Sequence, residues 1–129
     1  MKRLRNICLC TAMAAIMGHG IAAADDGFSD MDKFAFGLVV AAQIFDGLTT
    51  VAFLDNHHNR LDPRFSWKYG SDRRPSSSRI WTVKTAEIGI AYIVAKAMPD
   101  EYRSAFLFAV AGVLIACGFN NGMNFAITY

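Results

Sequence analysis

Three long blocks of hydrophobic residues divide the chain, and most of the charged residues lie between them. The blocks occupy residues 34–54, 80–98 and 105–127. Each block has roughly the twenty residues that an α-helix needs to cross the hydrocarbon core of a bilayer. This pattern predicts an all-α fold, a three-transmembrane-helix bundle that forms a single integral membrane domain over residues 25–129.

The N-terminal segment has the pattern of a secretory signal peptide. Basic residues precede a short apolar stretch at residues 7–17, and small residues precede Asp25. These are the three parts of a cleavable signal, and the apolar stretch is too short to span a bilayer alone. We expect residues 1–24 to be removed; an uncleaved anchor helix is the alternative and gives the same topology. The basic residues are Lys2, Arg3 and Arg5, and the small ones are Ala22, Ala23 and Ala24.

The distribution of charge predicts the orientation of the helices. The loop at residues 55–79 carries six Lys and Arg residues, whereas residues 25–33 carry four Asp and one Lys. Loops rich in Lys and Arg stay in the cytoplasm. We therefore expect a bacterial inner-membrane protein with a cytoplasmic loop at 55–79, a periplasmic turn at 99–104, a periplasmic mature N-terminus and a cytoplasmic C-terminus.

Composition agrees with a membrane location and argues against a nucleic-acid-binding role. Hydrophobic residues make up 53% of the chain, and its formal net charge is +2. Without residues 1–24 the balance is ten basic against eleven acidic residues, which leaves no basic surface for nucleic acid. Cys8 and Cys10 fall in the predicted signal, so Cys117 is left alone and no intramolecular disulfide is expected in the mature chain.

Polar side chains inside the predicted spans form the candidate site. Polar groups in hydrocarbon are costly, so each needs a partner or a purpose. At about 1.5 Å per residue, Asp46 lies about 12 Å and Glu87 about 10 Å from the cytoplasmic end of its span. The polar residues thus share one layer in the cytoplasmic half. This predicted polar layer contains Gln43, Asp46, Thr50, Lys84, Glu87, Asn120, Asn121 and Asn124.

Within each span the polar residues share one helical face, with spacings of i, i+3, i+7 in the first span, i, i+3 in the second and i, i+4 in the third. We expect these faces to meet inside the bundle, and Gly112-xxx-Ala116 and Gly118-xxx-Gly122 predict a close approach of the third helix to a neighbour. Two interpretations stay open: structural ties between helices, or a pocket for a ligand, ion or proton. Two carboxylates and one lysine leave one negative charge over, which favours a bound cation or proton.

The predicted cytoplasmic loop contains further candidate features. Asp55, His57, His58 and Asp62 have the side chains of a metal site. Adjacent loop histidines usually point apart, so we favour a solvated loop and expect neither a metal nor a cofactor. Residues 76–78 predict a flexible linker. Three aromatic residues that alternate with polar ones are expected in the headgroup zone: Phe65, Trp67 and Tyr69.

Residues spread over roughly 40–125 carry a resemblance to a known group of proteins. They are Asp46, Thr49 and Thr50 in the first span, Asp62-Pro63 in the loop, Lys84 in the second span and the asparagines late in the third. They resemble uncharacterised small bacterial inner-membrane proteins that carry an Asp-x-x-Thr/Ser pattern in the first span and an Asn-Pro after it. Asp62 stands where that group has its asparagine. The resemblance implies a membrane location and no particular activity.

Together these patterns predict a small inner-membrane protein without enzymatic activity. We expect it to bind a partner or a small ligand or ion at the polar layer, and to contact the lipid bilayer together with a second copy of itself or another membrane protein. Two alternatives remain open at this point. One is a holin-like pore-forming lysis or exclusion factor, and the other is a small transporter or proton-coupled subunit.

Overall fold

The computed structural model describes residues 27–55, 60–61 and 67–127, with side chains up to residue 123. The predicted signal peptide, the two loop histidines, Asp62 and the side chain of Asn124 lie outside this part of the chain. The described residues form three long helices and one short 3₁₀ helix. In chain order these are α1 (Asp30–Asp55), the 3₁₀ helix (Trp67–Tyr69), α2 (Ser77–Ala97) and α3 (Asp100–Ile127).

The all-α prediction is confirmed for the described residues, which contain three long helices and no strand. Two of these helices are long and apolar enough to cross a membrane by length and composition: Asp30–Asp55 and the Asp100–Met123 part of α3. α2 does not meet that criterion, although the sequence pattern predicts a span over residues 80–98. Its low apolarity follows from Lys84, Glu87 and Lys96.

Helix α1 begins with a reciprocal capping arrangement. The Asp32 backbone N–H donates to Ser29 Oγ (3.1 Å), and the Ser29 N–H donates to Asp32 Oδ2 (3.0 Å). This satisfies two backbone donors that a helix N-terminus otherwise leaves without partners. Asp30 and Asp32 also place negative charge where the helix dipole favours it. The start of α1 is therefore fixed by its own sequence.

The connections on either side of α2 differ from two expectations. The predicted linker at 76–78 is wrong, because Ser76 caps α2 by accepting from the Arg79 N–H (3.4 Å) and the next two serines are helical. The turn predicted at 99–104 is present but shorter, because α2 ends at Ala97 and α3 already begins at Asp100. Pro99 lacks an N–H and so fits immediately before a helix, and acidic residues at 100 and 101 stabilise its first turn.

Helix α1 packs against both other helices, and small residues permit the close contacts. A Cβ at Gly47 would lie 2.5 Å from the Trp81 ring, so α2 approaches α1 there only because this residue is glycine. A Cβ at Gly118 would collide with the Phe45 ring and lie 3.4 Å from Asp46 Cα. Gly118 therefore provides the close approach predicted for α3, whereas a Cβ at Gly112 would meet nothing within 4 Å.

The core has two parts, at different heights along the helices. The larger part fills the space among the three helices, and the smaller one packs the 3₁₀ helix against the facing ends of α1 and α2. The larger part includes Ala35, Phe36, Val39 and Val40 of α1, Ala91 and Ala95 of α2, and Leu107, Ala111 and Leu114 of α3. The smaller part is Leu54, Tyr69 and Ile80. Tyr69 therefore points inward, contrary to the expected headgroup position, whereas Trp67 is 69% exposed.

Candidate binding site in the polar layer

The centre of the polar layer is a buried ion pair between α1 and α2. Lys84 Nζ lies 2.5 Å from Asp46 Oδ2, and the two side chains are 3% and 7% exposed. The other carboxylate oxygen of Asp46 accepts from Asn121 Nδ2 of α3 at 2.9 Å. One carboxylate thus joins all three helices.

Thr50 completes the hydrogen bonding around that carboxylate. Its Oγ1 accepts from Asn121 Nδ2 (2.9 Å) and donates to the Asp46 backbone carbonyl one turn earlier (2.7 Å). Both Asn121 amide hydrogens and the Thr50 hydroxyl are therefore used. We call Asp46, Thr50, Lys84 and Asn121 the closed half of the layer, because its members satisfy one another.

Glu87 is the centre of the rest of the layer. Its Oε2 accepts from Gln43 Nε2 of α1 (3.0 Å) and lies 3.3 Å from Lys84 Nζ. Its Oε1 lies 2.8 Å from Nζ of Lys68, which belongs to the 3₁₀ helix. Lys68 and Glu87 are 33% and 23% exposed, so this part faces the loop surface. We call Gln43, Lys68 and Glu87 the open half of the layer.

Lys68 is the site residue that sequence reasoning missed. It lies in the loop, nineteen positions from Glu87, and no helical spacing connects the two. The one available signal was the charge left over in the predicted layer, which required a further cation. Lys68 supplies it, so the layer holds two carboxylates and two ammonium groups and carries no net charge. The excess negative charge that favoured a bound cation is therefore absent.

Gln43 holds the one buried side-chain atom of the described residues that lacks a hydrogen-bond partner. The side chain is 3% exposed, and its Oε1 accepts from no described group. Its Nε2 is fixed on Glu87 Oε2, and Oε1 belongs to the same amide group. An unsatisfied buried acceptor costs roughly 1–3 kcal/mol. The open half thus contains an acceptor with unused capacity.

The three asparagines predicted for the layer separate in the structure. Asn121 takes part, Asn120 is exposed, and the side chain of Asn124 lies outside the described residues. The reason is the position of Gly118, where α3 meets α1. Asn121 follows Gly118 by three residues and shares its face, whereas Asn120 is turned away from it.

Tyr69 covers the layer from the loop side. Its ring is buried against Leu54 and Ile80. Burial raises the pKa of the phenol above its ordinary value of 10.0; the nearby Glu87 and Asp46 charges act in the same direction, and Lys84 acts against them. The phenol is therefore neutral at physiological pH.

A second polar cluster lies at the opposite end of the bundle, around Arg103. The guanidinium donates to three backbone carbonyls: Nε to Ala95 (2.9 Å), Nη1 to Gly27 (2.8 Å) and Nη2 to Met98 (3.2 Å). It also pairs with Asp100 (2.6 Å) and Asp32 (3.5 Å). The sequence placed Arg103 and Asp32 in separate outer segments and gave no sign of their contact. This cluster is saturated, so it holds the fold together and offers nothing to a ligand.

A shallow cavity of about 440 Å³ lies between the end of α1 and the start of α2. Arg74 Nη2 donates across it to the Leu54 carbonyl at 3.3 Å. The cavity does not reach the polar layer, since none of the layer residues lines it. Its lining residues are Val51, Leu54, Asp55, Arg74, Pro75, Ser76, Ser77 and Ile80.

Comparisons of this chain with protein-family models, with curated proteins and with solved structures find no match. The resemblance drawn from Asp46, Thr49 and Lys84 therefore stays a prediction. What the site does must be argued from its geometry.

Proposed function

We propose that this chain is a small multi-pass protein of the bacterial inner membrane that binds a small ligand at the open half of its polar layer and catalyses no reaction. In this proposal α1, α2 and α3 all cross the bilayer. The loop that carries the 3₁₀ helix faces the cytoplasm, and the turn between α2 and α3 faces the periplasm.

The outward surface of α3 supports the membrane location. Only 28% of its most apolar stretch is buried against the rest of the chain. Large apolar side chains such as Val113, Phe119 and Met123 are each more than half exposed. Contiguous apolar surface of this kind is unusual on a soluble monomer and marks contact with lipid or a partner. α2 is less apolar, but Lys84 is sheltered from lipid by its contacts with α1.

The difference between the two halves of the layer supports a binding role. The closed half is saturated and ties the helices together. The single observation that carries the binding proposal is the buried Gln43 Oε1 acceptor without a partner, on the amide group that donates to Glu87. The hydrogen bond to Glu87 accounts for the amide nitrogen of Gln43, whereas no described residue accounts for its buried amide oxygen. The open half therefore has the composition of a site.

The pairing of charges favours this function over a pore. In a water-filled pore the polar side chains line a channel and are hydrated. In this chain Asp46 and Lys84 pair with each other at very low exposure. The two side chains therefore lie in a packed interior and not in a hydrated channel. A ligand site at the edge of this interior is compatible with that packing.

Native mass spectrometry of the protein released from detergent micelles tests this proposal. The wild-type protein is expected to retain bound small molecules that Glu87→Gln loses. Glu101→Gln is the matched control, because Glu101 is an exposed glutamate at the opposite end of the bundle. Identical adducts on the wild type and Glu87→Gln would contradict the proposal, provided that both variants keep the same helical circular-dichroism signal.

A further inference from the structure

The ligand class of the open half follows from its donors and acceptors. We propose that it binds an ammonium group that carries N–H donors, and that Lys68 occupies the site as an internal competitor which this ligand displaces. The inference rests on the proposed function, because it names the chemistry of the same site. In this inference the ion pair of Lys68 with Glu87 blocks the site until the ligand binds, whereas a structural ion pair would only stabilise the fold.

The acceptors match a primary ammonium group. When Lys68 leaves, Glu87 Oε1 loses a donor at 2.8 Å and a positive charge. Gln43 Oε1 is a second unused acceptor, on the amide group whose Nε2 donates to Oε2 of the same carboxylate. An ammonium group has three donors and no acceptor, so it restores the charge and can also satisfy the amide oxygen. Lys68 in its present position leaves that amide oxygen without a partner.

Other ligand classes fit these atoms poorly. An anion would meet the Glu87 carboxylate, whose second oxygen is already held by Gln43 and Lys84. A quaternary ammonium group carries the charge but no N–H, so it leaves the Gln43 oxygen unsatisfied. No group of three metal-ligating His, Cys, Asp or Glu side chains occurs among the residues that the structure describes.

Lys68 is the member of the layer that can leave at low cost. Its side chain is 33% exposed and its backbone belongs to a three-residue 3₁₀ helix in a loop. A partly exposed ion pair of this kind contributes little, because water replaces the partner. Lys84 differs, since it is 3% exposed and lies between Asp46 and Glu87. Displacement therefore takes place at Lys68.

Two sources could supply an ammonium group at this position. One is a free amine from the cytoplasm, and the other is the headgroup of an aminophospholipid in the inner leaflet. The shared chemistry is a primary ammonium group. Trp67 lies next to Lys68 and is 69% exposed, so its fluorescence reports when Lys68 moves. Trp81→Phe leaves Trp67 as the one tryptophan of the chain.

The test uses the full protein with Trp81→Phe in nanodiscs of phosphatidylcholine and phosphatidylglycerol. Phosphatidylethanolamine replaces phosphatidylcholine in one series, and ethanolamine is titrated into the buffer in another. A change of Trp67 emission in both series identifies an ammonium site open to the cytoplasm, and a change with the lipid alone identifies a headgroup site. If Trp67 emission changes in neither series, the inference is overturned. The proposed function would still stand in that case if native mass spectrometry finds bound small molecules on the wild type that are missing from Glu87→Gln.

Two variants that break the same ion pair are expected to act in opposite directions. Lys68→Gln removes the competitor and should tighten amine binding about two- to fivefold, the factor that a partly exposed ion pair represents. Glu87→Gln should abolish binding. If Lys68→Gln weakens binding as Glu87→Gln does, Lys68 is not a competitor and the inference fails.

Gln43→Met keeps all charges and the ion pairs, and it removes the free Oε1 acceptor together with the Nε2 donor to Glu87. It should weaken amine binding about tenfold or more, in line with one lost hydrogen bond to a charged donor. Unchanged affinity in a Gln43→Met protein of normal helical content would count against the inference.

Discussion

Lys84 of α2 and Asp46 of α1 form an ion pair in which neither side chain is more than 7% exposed. Asn121 of α3 donates to the free oxygen of the same carboxylate. The three helices therefore meet at one carboxylate, and stability should depend on whether its charge keeps a partner.

Asp46→Leu and Lys84→Met are each expected to destabilise the protein by about 3–5 kcal/mol, because each removes the nearer partner of a buried charge and leaves Lys84 only the longer contact with Glu87, or Asp46 only Asn121. The double variant Asp46→Leu with Lys84→Met removes both charges and should lose clearly less than the sum of the two single changes. Thermal unfolding in detergent, followed by circular dichroism, measures the differences. Strictly additive losses would show that the two residues do not act as a pair.

Gly118 and Gly112 offer a matched test of the contact between α1 and α3. Gly118→Ala should destabilise by about 1–3 kcal/mol, because its Cβ collides with the Phe45 ring in a packed interface. Gly112→Ala should cause no loss, since its Cβ meets nothing within 4 Å. Denaturant titration of both variants decides this, and equal losses would contradict the arrangement of the two helices.

Arg103 should be the most sensitive residue at the end of the bundle opposite the polar layer. Arg103→Lys keeps the charge but loses the planar fork that reaches Ala95, Met98 and Gly27 together. We expect a loss of about 2–4 kcal/mol, as for other buried charged hydrogen bonds. Glu101→Gln, an exposed change in the same turn, removes only a favourable charge at the helix N-terminus and should lower the melting temperature far less. A melting temperature unaffected by Arg103→Lys would show that the hydrogen bonds of the guanidinium to the three carbonyls do not stabilise the fold.

The buried phenol of Tyr69 should make the protein less stable in alkaline solution. Burial holds the pKa of its phenol above the ordinary value of 10.0. The folded state therefore binds this proton more tightly than the unfolded state. The resulting stability is complete below about pH 10 and is lost as the pH rises through the folded-state pKa. Unfolding curves at increasing pH should show this loss in the wild type and a smaller one in Tyr69→Phe.

The orientation can be tested at Gly70, which follows the 3₁₀ helix in a turn with positive φ (64°). A cytoplasm-dependent reporter inserted after Gly70 should be active, and a periplasm-dependent one should be silent. Fusions at Glu101 should give the opposite pattern. Activity of the periplasm-dependent reporter at Gly70 would show that the bundle has the opposite orientation in the membrane.

The helices and the closed half of the layer were accessible to sequence reasoning because both depend on local spacing. Gln43, Asp46 and Thr50 share one face by helical periodicity, and Lys84 was the obvious cation for a carboxylate in an apolar span. Lys68 was not accessible, because loop conformation decides which basic residue folds back. The choice between Asn120 and Asn121 was equally hidden, since it depends on which face of α3 meets α1.

Helix α1 is the first of the three to leave the ribosome, and it carries the carboxylate on which the others depend. Asp46 is made before Lys84, and Lys84 before Asn121. By the time α2 emerges, the counter-charge for its buried lysine is already in place. In the membrane topology that we propose, this order lets α1 supply the counter-charge of Lys84 before the less apolar α2 is inserted into the bilayer.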